Sequence, residues 1–484
     1  MAWDPEMEVV FHPKSVAVVG ASGRTIDNLR QGAQGGTGFI HIFKRLGFEG
    51  NIYPINPNAT EILGLKAYPS IAELPEPVDL VIVSVPGKQV PGALEECARA
   101  GVKNIHVFTS GFSEMGTDEG RKLEAQVLEV ARREGLRIIG PNGMGLHVPA
   151  AKISTWDWLP AKSGSVAFLS QSGGHCVFYT RYARQFDIRF SKVISFGNAA
   201  MLDSTDFLEY FATDPETKVI SMYLEGVKNG AKLVRQVKEI GRNKPVVIWK
   251  GGITESGSRA AASHTGSLAG NRALWDAFFA QSGAIAVGSV DDLADVTMTL
   301  LHLPPPRGRR VAVMGGGGGN SVAAADFCTQ EGLEVPLLTE ETRAELRSFV
   351  PPAGTSVRNP LDAPVILRDM SLFERTINIV AADPLIDIII FNQQLDMLHE
   401  AGGVKQIQAL GDLVCKFASE NKYGQPMVAI LHTWGGETEV RRERTRLTEE
   451  LARSGIPVYR SLPRASRAIA KYCQYLEFKR EAYE

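Results

Sequence analysis

The sequence predicts an α/β protein made of three consecutive doubly wound domains, and two observations carry this prediction. First, a short β-branched run that ends in Gly and Ser and is followed by helix-compatible sequence occurs three times, at residues 15–23, 164–174 and 310–319. Continuous apolar runs of this length suit strands that are buried on both faces of a parallel sheet. Second, further strand-like runs alternate with amphipathic stretches, which favours repeated βα units over an all-α or all-β chain.

Each third of the chain contributes further predicted strands. In the first third they are Asn51–Ile55, Leu80–Val85, Ile105–Thr109 and Leu136–Ile139. In the second they are Lys192–Phe196, Val219–Leu224 and Pro245–Trp249. In the third they are Ile386–Phe391, Met427–His432 and Pro457–Tyr459.

Two segments indicate where the domains meet. The proline-rich run 303–308 cannot continue a helix or a central strand, so we interpret it as a linker. We place the other boundary near Val148, after the glycine-rich segment 140–146. The predicted domains are therefore 1–148, 149–303 and 304–484, and a length of 484 residues fits about three domains.

Composition excludes several classes of protein. Lys and Arg number 52 against 54 Asp and Glu, and no basic block is present that would follow a phosphate backbone, so nucleic acid is not an expected partner. No run of ~18 apolar residues occurs, and the start of the chain is acidic where a signal peptide is basic and then apolar. We therefore expect a cytoplasmic protein that does not bind a membrane.

The cysteines predict packing rather than chemistry. The chain has five, an odd number, widely spaced and without a CxxC pair. Because zinc and redox sites need close pairs, we expect reduced cysteines and no metal site.

The glycine turns are candidate anion sites. A glycine turn between a strand and a helix lets backbone N–H groups approach a phosphate at the positive end of the helix dipole. Gly20-Ala-Ser-Gly23 has this chemistry without the GxGxxG spacing, and a tight turn without a ligand explains a single copy equally well. Three copies in one chain favour at least one anion site.

Two nucleotide-binding classes fit poorly. No GxxxxGK[ST] motif occurs, which disfavours a P-loop NTPase. The second strand, Asn51–Ile55, is followed by Asn56-Pro57 without an acidic residue to hold a ribose, which disfavours a dinucleotide dehydrogenase. Some other phosphorylated ligand is expected in the first domain.

One of the nine histidines has an unusual setting. His264 lies within the small-residue stretch 257–270, which shows neither helical nor strand periodicity before Leu268. We expect a mobile loop there, and loops carry function more often than cores do. An exposed histidine in a linker is the alternative, and His175, directly after Ser170-Gln-Ser-Gly-Gly174, is the rival candidate.

The ordered motifs of the chain resemble those of a known family, the α subunits of nucleoside-diphosphate-forming acyl-CoA synthetases. This family includes ADP-forming acetyl-CoA synthetase and, more distantly, succinyl-CoA synthetase. The resemblance covers nearly the whole chain. Its marks are Val18-Val-Gly-Ala-Ser22, Asn56-Pro57, Ser84-Val-Pro86, Thr109-Ser-Gly-Phe112, Gly140-Pro-Asn142, Leu169-Ser-Gln-Ser-Gly173, Ser195-Phe-Gly-Asn198, Tyr223-Leu-Glu-Gly226 and Ser263-His-Thr-Gly-Ser-Leu-Ala-Gly270.

The resemblance implies a Rossmann-like domain followed by two flavodoxin-like domains, and a reversible acid–thiol ligation. Acyl-CoA, a nucleoside diphosphate and phosphate would yield acid, CoA and nucleoside triphosphate, through an acyl phosphate and a phosphohistidine. His264 matches the phosphorylated histidine, and an imidazole can accept and release a phosphoryl group by covalent catalysis. Glu225 matches the acidic residue that orients the histidine.

The same matching implies two binding sites. Residues that would line the coenzyme A groove are Gly20, Ala21, Ser22, Asn56, Val85, Pro86, Ser110 and Gly111. Residues expected at the phosphate and acyl site are Asn142, Ser170, Ser172, Gly173, Gly174, Gly197 and Asn198. Asn58 departs from relatives, which often have a lysine there near the CoA phosphates.

The resemblance also implies a partner, because the chain has no recognisable site for ATP or ADP with Mg²⁺. In the family that site belongs to an ATP-grasp module, so a separate ATP-grasp β subunit in an α₂β₂ assembly is expected, with a small carboxylic acid or acyl-CoA as substrate. The glycine run Gly315–Gly319 fits a further phosphate cradle and a plain turn equally well. Two alternatives stay open: a CoA-dependent acyltransferase or CoA-transferase without nucleotide, and a non-catalytic CoA-binding regulatory protein.

Overall fold

The computed structural model describes residues 4–22, 35–265, 271–315, 317–363, 366, 369–435 and 437–483. Contacts group the chain into two units, residues 1–182 with 189–290 and residues 183–188 with 291–484.

The first sheet of the first unit has five parallel strands in the order β2-β1-β5-β6-β7. Its strands are β1 (Ser15–Val19), β2 (Asn51–Ile55), β5 (Leu80–Val83), β6 (Asn104–Val107) and β7 (Arg137–Ile139), and a separate hairpin is formed by β3 (Glu61–Ile62) and β4 (Leu65–Lys66). The helices are α1 (Pro5–Phe11), α2 (Gly36–Leu46), α3 (Val90–Arg99) and α4 (Asp118–Glu134). All four residues of β5 are buried, as expected for a strand covered on both faces.

Strand order creates a switch point in this sheet. β1 has β2 on one side and β5 on the other, so the connections leaving β1 and β2 run in opposite directions. In open α/β sheets ligands bind at such a point, outside the carboxyl ends of the strands. The Gly20 turn lies there.

The second sheet of this unit has the order β14-β13-β12-β10-β11-β8-β9. Its strands are β8 (Gly145–Val148), β9 (Ile153–Ser154), β10 (Val166–Ser170), β11 (Phe190–Ser195), β12 (Val219–Leu224), β13 (Val246–Lys250) and β14 (Ile285–Val287). The helices are α5 (Gly173–Ala183), α6 (Ser204–Thr213), α7 (Gly230–Ile240), α8 (Glu255–Thr265) and α9 (Arg272–Ser282). The five strands from β10 to β14 are parallel, whereas β8 and β9 form an antiparallel hairpin at the edge.

Residues 145–148, at the end of the predicted first domain, form β8 and extend the second sheet through pairing with β11. One buried apolar cluster includes Val18 of β1 and Phe43 of α2 together with Ile194 and Met222 of the second sheet. This shared core explains why both sheets belong to one unit.

The second unit contains a parallel sheet in the order β15-β16-β17-β18. Its strands are β15 (Val311–Met314), β16 (Ile388–Gln394), β17 (Met427–His432) and β18 (Val458–Tyr459). Its helices are α10 (Val290–His302), α11 (Gly318–Gln330), α12 (Glu340–Arg347), α13 (Met370–Ala381), α14 (Leu395–Glu420), α15 (Thr438–Arg453) and α16 (Leu462–Tyr483). Helix α10 begins one residue before residue 291, where the long segment of the second unit starts.

Helix α10, the last element of the predicted second domain, is attached to the second unit by polar contacts. Arg464 of α16 binds the carboxylate of Asp295 with its Nε at 2.6 Å and that of Asp291 with its Nη1 at 2.9 Å. Thr299 Oγ1 lies 2.6 Å from the hydroxyl of Tyr459. The predicted domain boundaries stay predictions.

The predicted α/β class with parallel sheets is confirmed. Most predicted strands were placed within one or two residues, whereas β14 and the two short hairpins were not predicted. The five cysteines are free, as expected. Over the part of the chain that the structure describes, no helix is both long and apolar enough to cross a membrane.

Candidate functional site

The turn after β10 has the form of an anion site. Ser170, the buried last residue of β10, donates its hydroxyl to the carbonyl of Ser172 at 2.6 Å. The hydroxyl oxygen of Ser172 accepts the backbone N–H of His175 at 3.3 Å and so caps the first turn of α5. A Cβ built on Gly173 would lie 2.6 Å from Met144 Sδ, so this position has little room for a side chain. The turn thus places small residues and a helix N-terminus together.

Glu225 directly follows β12, the strand beside β10, and is only 5% exposed. Tyr223 donates its hydroxyl to Glu225 Oε1 at 3.3 Å. The backbone N–H groups of Glu225 and Gly226 both donate to Gln171 Oε1 in the turn after β10. Hydrogen bonds therefore connect the predicted catalytic carboxylate to the predicted phosphate turn.

His175 packs against Tyr223, the residue that donates to this carboxylate, in an aromatic cluster. Its ring centroid is 4.2 Å from that of Tyr223 and 4.4 Å from that of Trp249. Burial and the neighbouring Glu225 carboxylate raise the pKa of the Tyr223 phenol. The phenol consequently stays a hydrogen-bond donor to Glu225 at neutral pH.

The segment that carries His264 is helical. The sequence predicted a mobile loop there, but residues 255–265 form α8, the element that follows β13. Alanine has the highest helix propensity, and Ala260-Ala-Ala262 supplies it here. Thr254 Oγ1 accepts the backbone N–H of Gly257 at 3.1 Å, and Glu255 pairs with Arg259 one turn later. The His264 side chain and residues 266–270 lie outside the described residues.

The predicted coenzyme A residues meet at the switch point of the first sheet. Gly20 has φ +90°, and a Cβ on it would lie 2.4 Å from the carbonyl oxygen of Ser84. Asn56 Nδ2 donates to the carbonyl of Ala21 at 2.6 Å, and the backbone N–H of Ser22 donates to Thr37 Oγ1 at 2.8 Å. The turns after β1, β2 and β5 are therefore held together.

The turn after β6 completes this edge. Thr109 donates its hydroxyl to the carbonyl of Val85 at 2.6 Å. A Cβ on Gly87, which follows Pro86, would lie 3.7 Å from the carbonyl oxygen of Ser110. The predicted groove residues lie in the turns after β1, β2, β5 and β6. They thus share the carboxyl-terminal edge of the first sheet.

Glu114 already occupies one backbone donor of the predicted groove, that of Gly111, and the donor of the next residue. Its carboxylate accepts the backbone N–H of Gly111 at 2.6 Å and that of Phe112 at 3.1 Å. The same carboxylate accepts from Asn198 Nδ2 at 2.6 Å. In this structure the Gly111 N–H is consequently satisfied by the protein itself.

Asn142 and Asn198 meet where the loops of the two sheets pack. Asn142 Nδ2 lies 3.3 Å from Asn198 Oδ1. Gly197 has φ +54°, and a Cβ on it would lie 2.4 Å from the carbonyl oxygens of Pro141 and Asn142. Gly197 is therefore needed for close packing of two loops, whatever ligand binds nearby.

The glycine run in the second unit has the same local geometry as Gly20. Gly315 has φ +97°, and a Cβ on it would lie 2.3 Å from the carbonyl oxygen of Asn392. This close approach requires glycine at position 315 without invoking a phosphate. Gly316 lies outside the described residues.

Three residues of the first-unit site were not predicted from sequence. They are Gln171, Lys250 and Glu114. Lys250 is the single charged residue at the end of the otherwise apolar run 246–250, which is the one signal that sequence offered. The partners of Gln171 and Lys250 lie 55 and 25 residues away, so local pattern does not reveal them.

Comparison with known proteins identifies the family of the chain. A family model described as a CoA binding domain matches residues 14–149, and one described as a succinyl-CoA ligase like flavodoxin domain matches residues 163–300. The α subunit of acetate–CoA ligase [ADP-forming] II from Pyrococcus furiosus is 37% identical, over 94% of this chain and 94% of that subunit. The chain belongs to the family of α subunits of ADP-forming acetate–CoA ligases. This family consists of acid–thiol ligases, and the resemblance identified from the motifs is confirmed.

Two further relatives agree with this family assignment. Acetate–CoA ligase [ADP-forming] I from Archaeoglobus fulgidus is 40% identical over 97% of this chain, and the chain spans 64% of that relative's length. The solved dinucleotide forming acetyl-coenzyme A synthetase 1 of Ca. Korarchaeum cryptofilum, in complex with phosphate and ADP, is 32% identical. It superposes with a TM-score of 0.83 and covers 98% of both chains.

Proposed function

We propose that this chain is the CoA-binding, phosphohistidine-carrying α subunit of an ADP-forming acid–CoA ligase. One observation carries the proposal. The Ser170–Gly174 turn, the buried Glu225 and helix α8 with His264 follow three strands, β10, β12 and β13, that neighbour one another in a single sheet. The elements that carry the proposed nucleophile, the orienting carboxylate and the anion turn thus all follow strands at the same edge of one sheet, which supports phosphoryl transfer through a histidine.

The proposed reaction proceeds in three balanced steps. Phosphate attacks the thioester carbonyl of acyl-CoA, which releases CoA and forms an acyl phosphate. An imidazole nitrogen of His264 then takes the phosphoryl group and releases the carboxylic acid. Finally ADP takes the phosphoryl group from His264, which restores the imidazole and yields ATP.

Glu225 would hold the ring during the second step. A carboxylate that accepts a hydrogen bond from the other ring nitrogen fixes the tautomer and stabilises the cationic ring. Ser170, Ser172, Gly173 and Gly174 would hold the phosphate, with Asn142, Gly197 and Asn198 nearby. The groove at Gly20, Ala21, Ser22, Asn56, Val85, Pro86, Ser110 and Gly111 would hold CoA.

The remaining part of the reaction is assigned to a partner. We place ATP or ADP with Mg²⁺ on a separate ATP-grasp β subunit, in an α₂β₂ assembly in the cytoplasm, with a small carboxylic acid as substrate. Support comes from relatives whose names mark them as α subunits and from a relative that extends well beyond the length of this chain.

Phosphorylation of the chain alone tests the proposal. With acetyl-CoA and radiolabelled phosphate, label that is lost in acid should appear on the chain and should be absent from His264→Ala. His175→Ala is the matched control and should keep the label. Label retained in His264→Ala but lost in His175→Ala would transfer the role to His175, and no label on the wild-type chain would refute the proposal.

A second experiment tests the division between subunits. The purified chain, freed of partners by denaturation and refolding, should bind CoA but should not form acyl-CoA from acid, CoA and ATP. Addition of an ATP-grasp β subunit should restore turnover. Full turnover by the chain alone would show that another of its segments binds the nucleotide.

A further inference from the structure

The buried side chain of Lys250 connects β12, which precedes Glu225, with β13, which precedes α8. Lys250 is the last residue of β13 and is 3% exposed. Its Nζ donates to the backbone carbonyl of Glu225 at 2.9 Å and to that of Gly251. It also lies 5.1 Å from the ring centroid of Trp275 on α9. Two carbonyls and an aromatic face thus surround the ammonium group.

We propose that Lys250 is a positioning residue that fixes the peptide of Glu225 and the start of the segment leading into α8, the helix that carries the proposed nucleophile His264. The inference rests on the proposed function of His264. It adds a residue that acts through Glu225 and contacts neither the substrate nor the transferred phosphoryl group.

The backbone of Glu225 is held from both sides. Its N–H donates to Gln171 Oε1, and its carbonyl accepts from Lys250. Because both peptide groups that flank its Cα have fixed partners, the direction of its side chain is restricted as well. Without Lys250 the peptide after Glu225 would lose its partner on the β13 side.

The second carbonyl bound by Lys250 controls the start of α8. Gly251 accepts from Lys250, Gly252 follows with φ +73°, and Thr254 then caps the helix. Only four residues separate Lys250 from Glu255, where α8 begins. A single ammonium group therefore holds both the backbone of Glu225 and the segment that leads into α8.

Electrostatics agree with this geometry. Burial lowers the pKa of Lys250 to about 8, and the nearby Glu225 carboxylate opposes that shift by favouring the charged ammonium. The ammonium form, which donates to both carbonyls, is therefore the main form of Lys250 below about pH 8.

Lys244 provides a matched control. It precedes β13, whereas Lys250 is the last residue of that strand. Lys244 Nζ donates to the carbonyls of Phe211 at 2.7 Å and Asp214 at 2.5 Å, and burial lowers its pKa too. Lys250→Met and Lys244→Met each remove a lysine that binds two backbone carbonyls. Only the first lies beside Glu225.

The experiment measures phosphohistidine formation on the full chain from acetyl-CoA and radiolabelled phosphate, together with CoA affinity. Lys250→Met should lower the maximal rate by ~10–100-fold, as loss of a group orienting a functional side chain does, and leave CoA affinity within about twofold. Lys244→Met should leave both within about twofold. If Lys250→Met does not fold, Lys250→Arg replaces it, since a planar guanidinium cannot reproduce the geometry of an ammonium group.

The outcomes separate the two proposals. Absence of label on the wild-type chain refutes the proposed function and this inference with it. Label on the wild type, with rates for the Lys250 variant equal to those for Lys244→Met, overturns this inference alone. A reduced maximal rate with unchanged CoA affinity, seen only in the Lys250 variant, supports it.

Discussion

The side-chain oxygen Oε1 of Gln171 accepts the backbone N–H of Gly226 at 2.9 Å, which joins the turn after β10 to the turn after β12. The same oxygen accepts the N–H of Glu225. One side chain thus sets the separation between the predicted phosphate turn and the predicted catalytic carboxylate.

Gln171→Met is expected to destabilise the chain. It leaves the two buried N–H groups without their acceptor, which costs about 1–3 kcal/mol for each unsatisfied group. Urea unfolding should show this loss as a lower midpoint. An unchanged midpoint would mean that other groups replace Gln171.

Gln171→Glu should preserve the fold but slow phosphorylation. It keeps an acceptor oxygen of the same reach, yet it adds a second negative charge next to the backbone of Glu225, and this charge repels the phosphate group. We expect the label to form more slowly than on the wild type. An unchanged rate would contradict an electrostatic effect at position 171.

Gly20→Ala should weaken CoA binding. The new Cβ would lie 2.4 Å from the carbonyl oxygen of Ser84, so the turns after β1 and β5 must separate. Gly47→Ala is the control, because Gly47 also has positive φ, at +72°, but a Cβ there meets nothing within 4 Å. Calorimetric CoA titration of the full chain should show a loss of at least ~10-fold for the first variant only. Equal affinities would remove Gly20 from the groove.

Two buried histidines should make the chain sensitive to acid. Burial lowers the pKa of His106 to about 4 and that of His147 to about 3, against 6.5 for the free side chain. Between those values the unfolded chain binds more protons, so stability falls as pH drops below about 6.5. Each histidine contributes a slope of up to ~1.4 kcal/mol per pH unit.

His147→Gln should reduce this acid sensitivity by one such slope, measured by urea unfolding at pH 4.5–7. His12→Gln is the control, since that side chain is 30% exposed. Equal slopes in the wild type and His147→Gln would show that His147 does not bind a proton on unfolding.

Lys250 should give a dependence of the same sign on the alkaline side. Its pKa is lowered from 10.5 to about 8, so between these values the unfolded chain again binds more protons. The wild type should therefore gain stability relative to Lys250→Met as pH rises from 8 towards 10.5. Guanidinium unfolding of both proteins at pH 7.5, 8.5 and 9.5 provides the measurement. A difference that shrinks with pH would show that burial does not depress this pKa.

Sequence pattern predicted the strands better than the site. Runs such as Leu80–Val83 and Val219–Leu224 are apolar throughout, and burial on both faces of a parallel sheet explains why they are so easily identified. β14 was missed because its three residues are too few to establish a pattern. The helix that carries His264 was missed because small residues show no amphipathic period, although alanine favours a helix intrinsically.

The family motifs led to Ser170, which ends β10, and to Glu225, which follows β12, and the roles of both stay predictions. Sequence pattern did not indicate the groups that connect these strand ends. Gln171, Lys250 and Glu114 act through backbone atoms of other segments, so their roles depend on strand order. That order is set by tertiary packing and is not contained in any single stretch of sequence.

The grouping of the chain into units limits how it can be cut. The polypeptide passes from one unit to the other at residues 182/183, 188/189 and 290/291, so neither unit is one contiguous segment. Proteolysis or truncation at the proline-rich run 303–308 would separate α10 from the rest of the second unit. Asp295 of α10 is 1% exposed and is bound by Arg464. Burial already raises the pKa of that carboxyl despite its guanidinium partner. A fragment ending there would expose the acid and the apolar face beside it, so limited digestion should yield aggregation rather than two soluble pieces.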